Sequence, residues 1–166
     1  MNPMRKVRLE KVTLNIGTTT DKEKLERALK LLEKLTGKKP VVTKTHKRNT
    51  FGIAKGRPIG AKITLRGKEA EEMLKKVFSG VDNMIKLKQI NDGNFSIGVK
   101  EYIDLPGVNY DPDIGVLGFD CTVTLERPGY RVKRRRLRKA KIGKKHLITK
   151  EETVEWIKSL GVKIVE

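Results

Sequence analysis

The sequence predicts an α+β fold in which helices pack on one face of a mainly antiparallel sheet and leave a polar, basic face open. Strand patterns and helix patterns alternate in the first half of the chain, whereas strand patterns cluster in the second half. The 166 residues are 37% hydrophobic, which suffices for one core. Residues 1–130 are predicted to form one α+β domain with a mobile basic loop at 47–60. Residues 131–166 are predicted to add a basic tract and a C-terminal helix that packs on or extends this domain.

The first strand and the first helix are predicted before residue 37. Residues 7–17 alternate between apolar and polar side chains, as in a half-buried strand. Thr20 with Glu23 three positions later matches a capping box, which predicts a helix over 21–36. Gly37 follows at the position where a left-handed residue often ends a helix. The apolar residues at helical spacing are Leu25, Ala28, Leu29, Leu32 and Leu35.

Two strands, a loop and a second helix are predicted next. Residues 40–45 are rich in strand-forming side chains, and residues 62–66 alternate. Between them, residues 47–60 are rich in glycine and polar side chains and are predicted to form a long loop. A helix is predicted over 68–79, and its apolar stripe consists of Met73, Leu74, Val77 and Phe78.

Strands dominate the prediction for the following segment. Residues 81–94 show no clear pattern, residues 95–103 alternate weakly and residues 118–126 alternate clearly. Residues 105–118 contain proline, glycine and several aspartates, which indicates a loop.

The C-terminal part is predicted to hold one helix and one short strand. Thr149 and Glu152 match a second capping box, which predicts a helix that ends near Leu160. Gly161 stops this helix, and residues 162–165 are predicted to form a last strand. The side chains expected to face the core are Val154, Ile157 and Leu160, with Trp156 nearby.

Two similar strand motifs carry the first candidate site. "KVTLNIG" spans 11–17 and "KITLRG" spans 62–67. Helices would cover the apolar side, which holds Val12, Leu14, Ile16, Ile63 and Leu65. The opposite side then presents Lys11, Thr13, Asn15, Lys62, Thr64 and Arg66. Cations neutralise phosphates, and hydroxyl and amide groups bond ribose and phosphate oxygens, so this side suits RNA. The alternative is an ordinary solvated sheet face.

The positive charge is concentrated in two segments. The chain carries 38 Lys and Arg against 20 Asp and Glu, a formal net charge of +18. Residues 34–68 hold eleven cations and no acid, and residues 131–145 hold ten cations and no acid. The rest of the chain is slightly acidic. Concentrated charge of this kind predicts surfaces that bind a polyanion.

The glycine-rich segment "KRNTFGIAKGRPIG", residues 47–60, is the second candidate site. Glycines allow close approach to a ligand, and a basic loop can reach a curved nucleic-acid surface. The segment lacks the Gly-Lys-Ser/Thr ending of a phosphate loop, so nucleotide hydrolysis is not expected. The alternative is a solvated loop without a partner. Its candidate contact residues are Lys47, Arg48, Phe51, Gly52, Lys55, Gly56 and Arg57.

The tract "RVKRRRLRKAKIGKKH" is the third candidate site. Such a density of cations requires counter-charge, so the tract is either a disordered tail or a segment that orders on RNA. Its candidate contact residues are Arg131, Lys133, Arg134, Arg135, Arg136, Arg138 and Lys139.

Other functional classes have little support. The single cysteine, Cys121, is predicted to be a buried core residue in a reducing compartment. The glutamates cluster at helix starts, where they offset the helix dipole, so no catalytic pair is predicted. No cluster with metal-ligand spacing and no apolar run of membrane-spanning length occurs in the sequence. We therefore expect a cytoplasmic protein that is not an enzyme and needs no cofactor.

Five segments, in this order and at this spacing, resemble a known family. They are "VTLNIG", "GKKPVVTK", "FGIAKGRPIGAKITLRG", "NFSIGVKEYIDLPGVNYD" and "GFDCTVTLERPG". Together they are similar to ribosomal protein five of the large subunit, the universal binder of 5S ribosomal RNA. The basic tract and "IGKKHLITKEETVEW" resemble the archaeal type.

The resemblance implies a structural component of the large ribosomal subunit. It implies that Asn15, Thr64 and Arg66 contact 5S rRNA, that 5S rRNA is anchored in the central protuberance, and that loop 47–60 reaches toward the transfer RNA in the peptidyl site. Lys38 stands where bacterial relatives commonly have glutamine, and it is included among the 5S rRNA contacts. Large-subunit rRNA and neighbouring large-subunit proteins are further implied partners. The alternative from another class is a nonspecific nucleic-acid-binding protein or RNA chaperone.

Overall fold

A computed structural model describes residues 2–48 and 52–165 and shows a six-stranded sheet covered by helices. The strands are β1 (Arg8–Gly17), β2 (Val41–Lys44), β3 (Pro58–Leu65), β4 (Met84–Lys86), β5 (Ile90–Asn91), β6 (Asn94–Val99), β7 (Phe119–Glu126) and β8 (Lys163–Val165). The strand order in the six-stranded sheet is β2-β3-β1-β7-β6-β5, and all five pairings in this sheet are antiparallel. The helices are α1 (Lys22–Thr36), α2 (Lys68–Gly80), α3 (Arg131–Arg134) and α4 (Lys150–Ser159). The predicted α+β class is confirmed.

The core lies between one face of the sheet and the helices. The apolar side of β1 and β3, predicted from alternation, is buried: Val12, Leu14, Ile16, Ile63 and Leu65. The whole predicted stripe of α2 is buried as well. In α1, Ala28, Leu31 and Leu32 are fully buried, whereas Leu25, Leu29 and Leu35 are partly buried against the same core. Burial of these side chains is the main favourable contribution to folding.

Two boundaries in the first half differ from the prediction. The N-cap of α1 is Asp21, not Thr20, and its carboxylate accepts the backbone N–H groups of Glu23 and Lys24 at 3.1 and 3.4 Å. A carboxylate at this position also interacts favourably with the positive end of the helix dipole. Strand β3 begins at Pro58, so the last three residues of the predicted loop 47–60 belong to the sheet. Gly37 ends α1 in the left-handed conformation, as predicted.

Residues 81–94, which gave no sequence pattern, contain two very short strands. Strand β4 has three residues and β5 has two, too few for an alternation to be recognised. Strand β4 pairs in parallel with β8, the predicted last strand. The predicted strand over 95–103 ends earlier, because β6 stops at Val99.

The core-facing side of α4 differs from the prediction at one position. Ile157 is fully buried and Val154 is partly buried, but Leu160 follows the last helical residue and is 44% exposed. Thr153 is fully buried instead. Its hydroxyl accepts the N–H of Gly93 and donates to the carbonyl of Thr149, both at 3.0 Å, so burial leaves its polar atom bonded. The predicted capping box of Thr149 and Glu152 is present.

Cys121 lies in β7 with its side chain in the core. Burial raises the pKa of its thiol to about 12, and the nearby Asp120 carboxylate adds to the shift. The thiol is therefore protonated at neutral pH. This agrees with the predicted role as a core residue.

Replacement of Gly60 by alanine is expected to destabilise the fold, whereas replacement of its partner Gly17 is not. The two glycines are paired between β3 and β1. A Cβ at Gly60 would collide with the carbonyl oxygen of Ile16 and lie 3.1 Å from the hydroxyl of Thr43, whereas no described atom lies within 4 Å of a Cβ at Gly17. Gly60→Ala should lower the free energy of unfolding by about 1–3 kcal/mol, and Gly17→Ala should change it by less than about 0.5 kcal/mol. Urea unfolding followed by circular dichroism measures both, and equal stabilities would contradict the expectation.

Candidate nucleic-acid interface

The six residues predicted from the two strand motifs lie on one surface, which we call the polar sheet face. Strands β1 and β3 are direct neighbours, and their register sets Thr13 opposite Thr64 and Asn15 opposite Lys62. Lys11, Thr13 and Asn15 are half-buried, and Lys62, Thr64 and Arg66 are exposed. The fold therefore presents cationic, hydroxyl and amide groups side by side on the face that the helices leave open.

Strands β7 and β6 extend the polar sheet face beyond the predicted residues. Thr122 lies opposite Thr13 on one side and opposite Ser96 on the other, with the two hydroxyl oxygens of Thr122 and Ser96 3.4 Å apart. Asp120 lies opposite Asn15 and adds a negative charge to this region. The alternation of residues 118–126 indicated which side chains of β7 share a face. The sequence alone did not show that β7 pairs with β1.

Lys38 lies between α1 and β2, outside the paired strands. Its ammonium group forms an ion pair with Glu69 near the start of α2, and both side chains are about half exposed. Any contact of Lys38 with a phosphate would therefore compete with this carboxylate.

The base of the predicted loop is fixed by backbone hydrogen bonds. Thr45 donates its N–H to the carbonyl of Arg57, and Gly56 donates its N–H to the carbonyl of Thr45, both at 3.0 Å. The Thr45 hydroxyl also donates to the carbonyl of Ala54 at 2.9 Å. The left-handed conformation of Gly56, with φ +85°, makes this tight closure possible without strain.

The described candidate contact residues of the loop are accessible to solvent. The exposed residues are Lys47, Arg48, Gly52, Lys55, Gly56 and Arg57. Ile53 is buried. Phe51, which was predicted as part of this site, lies outside the described residues.

Three arginines and two glutamates form a row of alternating charge, which we call the arginine row. Arg8 donates to Glu126 Oε1 from Nε at 3.1 Å and from Nη2 at 2.8 Å. Arg134 donates from Nη2 to Glu126 Oε2 at 2.6 Å and from Nη1 to Glu10 Oε1. Arg66 Nη1 lies 3.4 Å from the same Glu10 oxygen. The row thus joins the basic tract to the polar sheet face.

A β-bulge accounts for the position of Glu10. The pairing of β1 with β7 shifts between Leu9 and Lys11, so Glu10 is an extra residue in β1. Its partners Arg66 and Arg134 are 56 and 124 positions away in the chain. The spacing of these residues in the sequence did not indicate that both arginines contact Glu10, and Arg66 and Arg134 were predicted in separate sites.

The start of the basic tract is ordered by protein contacts. The tract was predicted to be disordered or ordered on RNA because counter-charge was lacking; Glu10 and Glu126 supply that charge to Arg134, in the one-turn helix α3. Within the described residues, Arg134 is the one cation of the tract in an ion pair. Exposed cations of the tract are Arg131, Lys133, Arg135, Arg136, Arg138 and Lys139.

Buried polar contacts hold the segments on both sides of the tract together. Arg127 is 5% exposed and donates to the carbonyls of His146 and Leu147 at 3.3 and 3.2 Å, and it pairs with Glu152. The Tyr130 hydroxyl donates to the carbonyl of His146 and accepts the N–H of Ile148, both at 3.0 Å. Burial raises the pKa of Tyr130.

The loop over 105–118 is tied to the helix layer. Asp111 forms an ion pair of 2.9 Å with Lys34 of α1, and its N–H donates to the hydroxyl of the fully buried Tyr102 at 2.9 Å. The hydrogen bond from Lys34 lowers the pKa of Asp111.

In the described ranges 2–48 and 52–165, every helix is too short or too polar to cross a bilayer.

Comparison with known sequences identifies the family. A profile of ribosomal protein L5 matches residues 2–53, and a profile of the C-terminus of the ribosomal L5 family matches residues 58–156. The chain is 50% identical to large ribosomal subunit protein uL5 of Nanoarchaeum equitans, over 99% of both chains. It is 51% identical to uL5 of Sulfurisphaera tokodaii, over 100% of this chain and 96% of the relative, and 49% identical to uL5 of Archaeoglobus fulgidus, over 99% and 93%.

These matches extend over the polar sheet face and most of the loop, and they include the whole basic tract. The relatives are archaeal, as the motifs of the tract predicted. The chain therefore belongs to the ribosomal protein L5 family in its archaeal type, a structural and non-enzymatic component of the large subunit of the cytoplasmic ribosome.

Proposed function

We propose that this protein binds 5S rRNA through the polar sheet face and anchors that RNA in the central protuberance of the large subunit. The register of β1 and β3 carries the proposal, because it sets Thr13 beside Thr64 and Asn15 beside Lys62 on the uncovered face. Hydroxyl and amide groups beside cations suit the ribose and phosphate groups of an RNA strand. The shallow minor groove of an RNA helix displays these groups to a flat protein surface.

Direct contacts are assigned to Lys11, Thr13, Asn15, Lys62, Thr64 and Arg66, with Lys38 at the edge of the surface. The cations supply attraction that does not depend on sequence. Thr13, Asn15 and Thr64 restrict how an RNA strand can lie, because their hydrogen bonds are directional.

We also propose that the loop over 47–60 reaches the transfer RNA in the peptidyl site. Its base is closed by Thr45, Gly56 and Arg57, whereas Lys47, Arg48 and Lys55 are exposed. A fixed base with cations beyond it is suited to bridge a gap between the protein and a second RNA.

The basic tract is assigned to large-subunit rRNA, and the remaining surface to neighbouring large-subunit proteins.

We propose that residues 1–130 form the RNA-binding domain and that 131–166 extend it. Ile148, Ile157 and Val162 belong to the same core cluster as the sheet, which supports an extension rather than a separate unit.

A nonspecific RNA-binding or chaperone role is the second candidate, and the net charge of +18 favours it. The RNA that co-purifies with the protein distinguishes the two roles. We expect one discrete species of 5S size. A broad range of RNA sizes would support the nonspecific role and contradict the proposal.

Removal of Thr64 and Arg66 tests the polar sheet face. Thr64→Ala/Arg66→Ala should weaken the binding of 5S rRNA by about 2–4.5 kcal/mol, because an ordinary hydrogen bond contributes about 0.5–1.5 kcal/mol and one that involves a charged group about 1.5–3 kcal/mol. The matched control is Thr20→Ala/Arg27→Ala, which removes the same side-chain types at and near α1 and should leave the affinity unchanged. Gel-shift titration measures both. An unchanged affinity of a folded Thr64/Arg66 variant would exclude this face as the binding site.

Neutralisation of the loop tests its separate role. Lys47→Gln/Arg48→Gln/Lys55→Gln should weaken binding of transfer RNA to the peptidyl site of reassembled ribosomes by about threefold to tenfold. It should leave 5S rRNA affinity within about twofold, because these cations lie off the polar sheet face. The matched control, Lys22→Gln/Arg27→Gln/Lys75→Gln, changes the helix layer and should affect neither RNA. A comparable loss of 5S rRNA binding would show that the loop belongs to the 5S site.

A further inference from the structure

We propose that Arg66 and Arg134 form one composite phosphate-binding site for RNA, and that Glu10 is its positioning residue. The inference rests on the proposed function for the identity of the ligand, because the RNA bound by the polar sheet face would supply the phosphate.

The geometry brings two arginines from distant elements to a single oxygen atom. Arg66 follows the last residue of β3 and Arg134 ends α3, yet the Nη1 atoms of both contact Oε1 of Glu10. Two guanidinium groups repel each other when nothing lies between them. The Glu10 carboxylate removes this repulsion and holds them side by side.

In the arginine row, the carboxylates are buried and the guanidinium groups are exposed. The side chains of Glu10 and Glu126 are only 9% and 10% exposed, whereas those of Arg66 and Arg134 are 57% and 44% exposed. The carboxylates thus lie beneath the guanidinium groups. An approaching phosphate would meet the arginines first, and the glutamates would be shielded from it.

Both arginines keep donors for a ligand. A guanidinium group carries five N–H donors and is suited to bidentate phosphate contacts. Glu10 and Glu126 engage one nitrogen of Arg66 and two of Arg134. Among the described residues, Nε and Nη2 of Arg66 and Nε of Arg134 have no hydrogen-bond partner, so these groups are available to phosphate oxygens.

Because Glu10 already holds Arg66 and Arg134 in place, these side chains lose less conformational entropy when RNA binds. Long arginine side chains lose conformational freedom when an interface orders them, and a side chain already held in place loses less. The simpler interpretation is that the row only ties the basic tract to the sheet. The two interpretations predict opposite effects of Glu10→Gln: a pre-positioned site predicts weaker RNA binding, and a purely structural tie predicts tighter RNA binding.

Glu10→Gln is the decisive variant, with Asp120→Asn as its matched control. Both remove one negative charge from the same side of the sheet, and simple electrostatics predicts tighter RNA binding for both. We expect Asp120→Asn to bind about twofold tighter. We expect Glu10→Gln to bind about tenfold weaker, because Arg66 then loses its carboxylate partner and Arg134 keeps only its contact with Glu126. Equal or tighter binding by a folded Glu10→Gln protein would overturn the proposal.

A second comparison keeps the test decisive if Glu10→Gln does not fold. Arg134→Gln and Arg136→Gln remove equal charge from the same tract, but only Arg134 contacts Glu10. Arg134→Gln should weaken binding about tenfold and Arg136→Gln about twofold. Equal losses would overturn the proposal. When Glu10→Gln does fold, its addition to Arg134→Gln should weaken binding little further, because both substitutions disrupt the same site.

Two RNA probes keep this test separate from the proposed function. Each variant is titrated with 5S rRNA and with an unrelated RNA duplex of equal length, and circular dichroism confirms that it is folded. If the wild-type protein binds both RNAs equally, 5S selectivity fails. The ratio of the RNA affinities of Glu10→Gln and wild type can still be measured with either RNA, since every RNA carries phosphates.

Discussion

The pairing of β1 with β3 on one side and β7 on the other is the constraint on which the rest of the molecule depends. Successive side chains of a strand point to opposite faces, so the register that buries Val12 and Leu14 also turns Thr13 and Asn15 outward. A slip of one residue would exchange the two sets. Hydrophobic burial therefore positions the polar sheet face, and no further interaction is needed to align its polar side chains. The same register brings position 60 of β3 so close to the Ile16 carbonyl that a Cβ there would collide with it, which favours glycine.

The long, periodic elements were predictable from the sequence, and so was the side chain composition of the open face. Alternation fixed the two sides of β1 and β3, and helical spacing fixed the buried stripe of α2. Strands of two or three residues, such as β4 and β5, were not predictable, because so short a segment has no period. The N-cap at Asp21 differed by one residue because a carboxylate competes well with a hydroxyl for the same N–H groups.

The arginine row could not be predicted from the sequence, for a different reason. It depends on a bulge, which breaks the alternation, and on contacts between residues more than fifty positions apart. A count of charges treats Glu10 as a small reduction of a basic surface. The structure instead shows a carboxylate that organises cations. In a protein of net charge +18, where the acids lie matters as much as how few there are.

The parallel pairing of β4 with β8 also bears on how the protein is made. Met84 pairs with Lys163, so β4 has no strand partner until the ribosome has synthesised almost eighty further residues. The antiparallel pairs β1–β3 and β6–β7 close over shorter stretches and can form earlier, while synthesis continues. The basic tract therefore leaves the exit tunnel before the last strand locks the C-terminal segment in place. During that interval the C-terminal segment lacks its final strand pairing, so the part of the chain that follows the basic tract is the last to complete its fold.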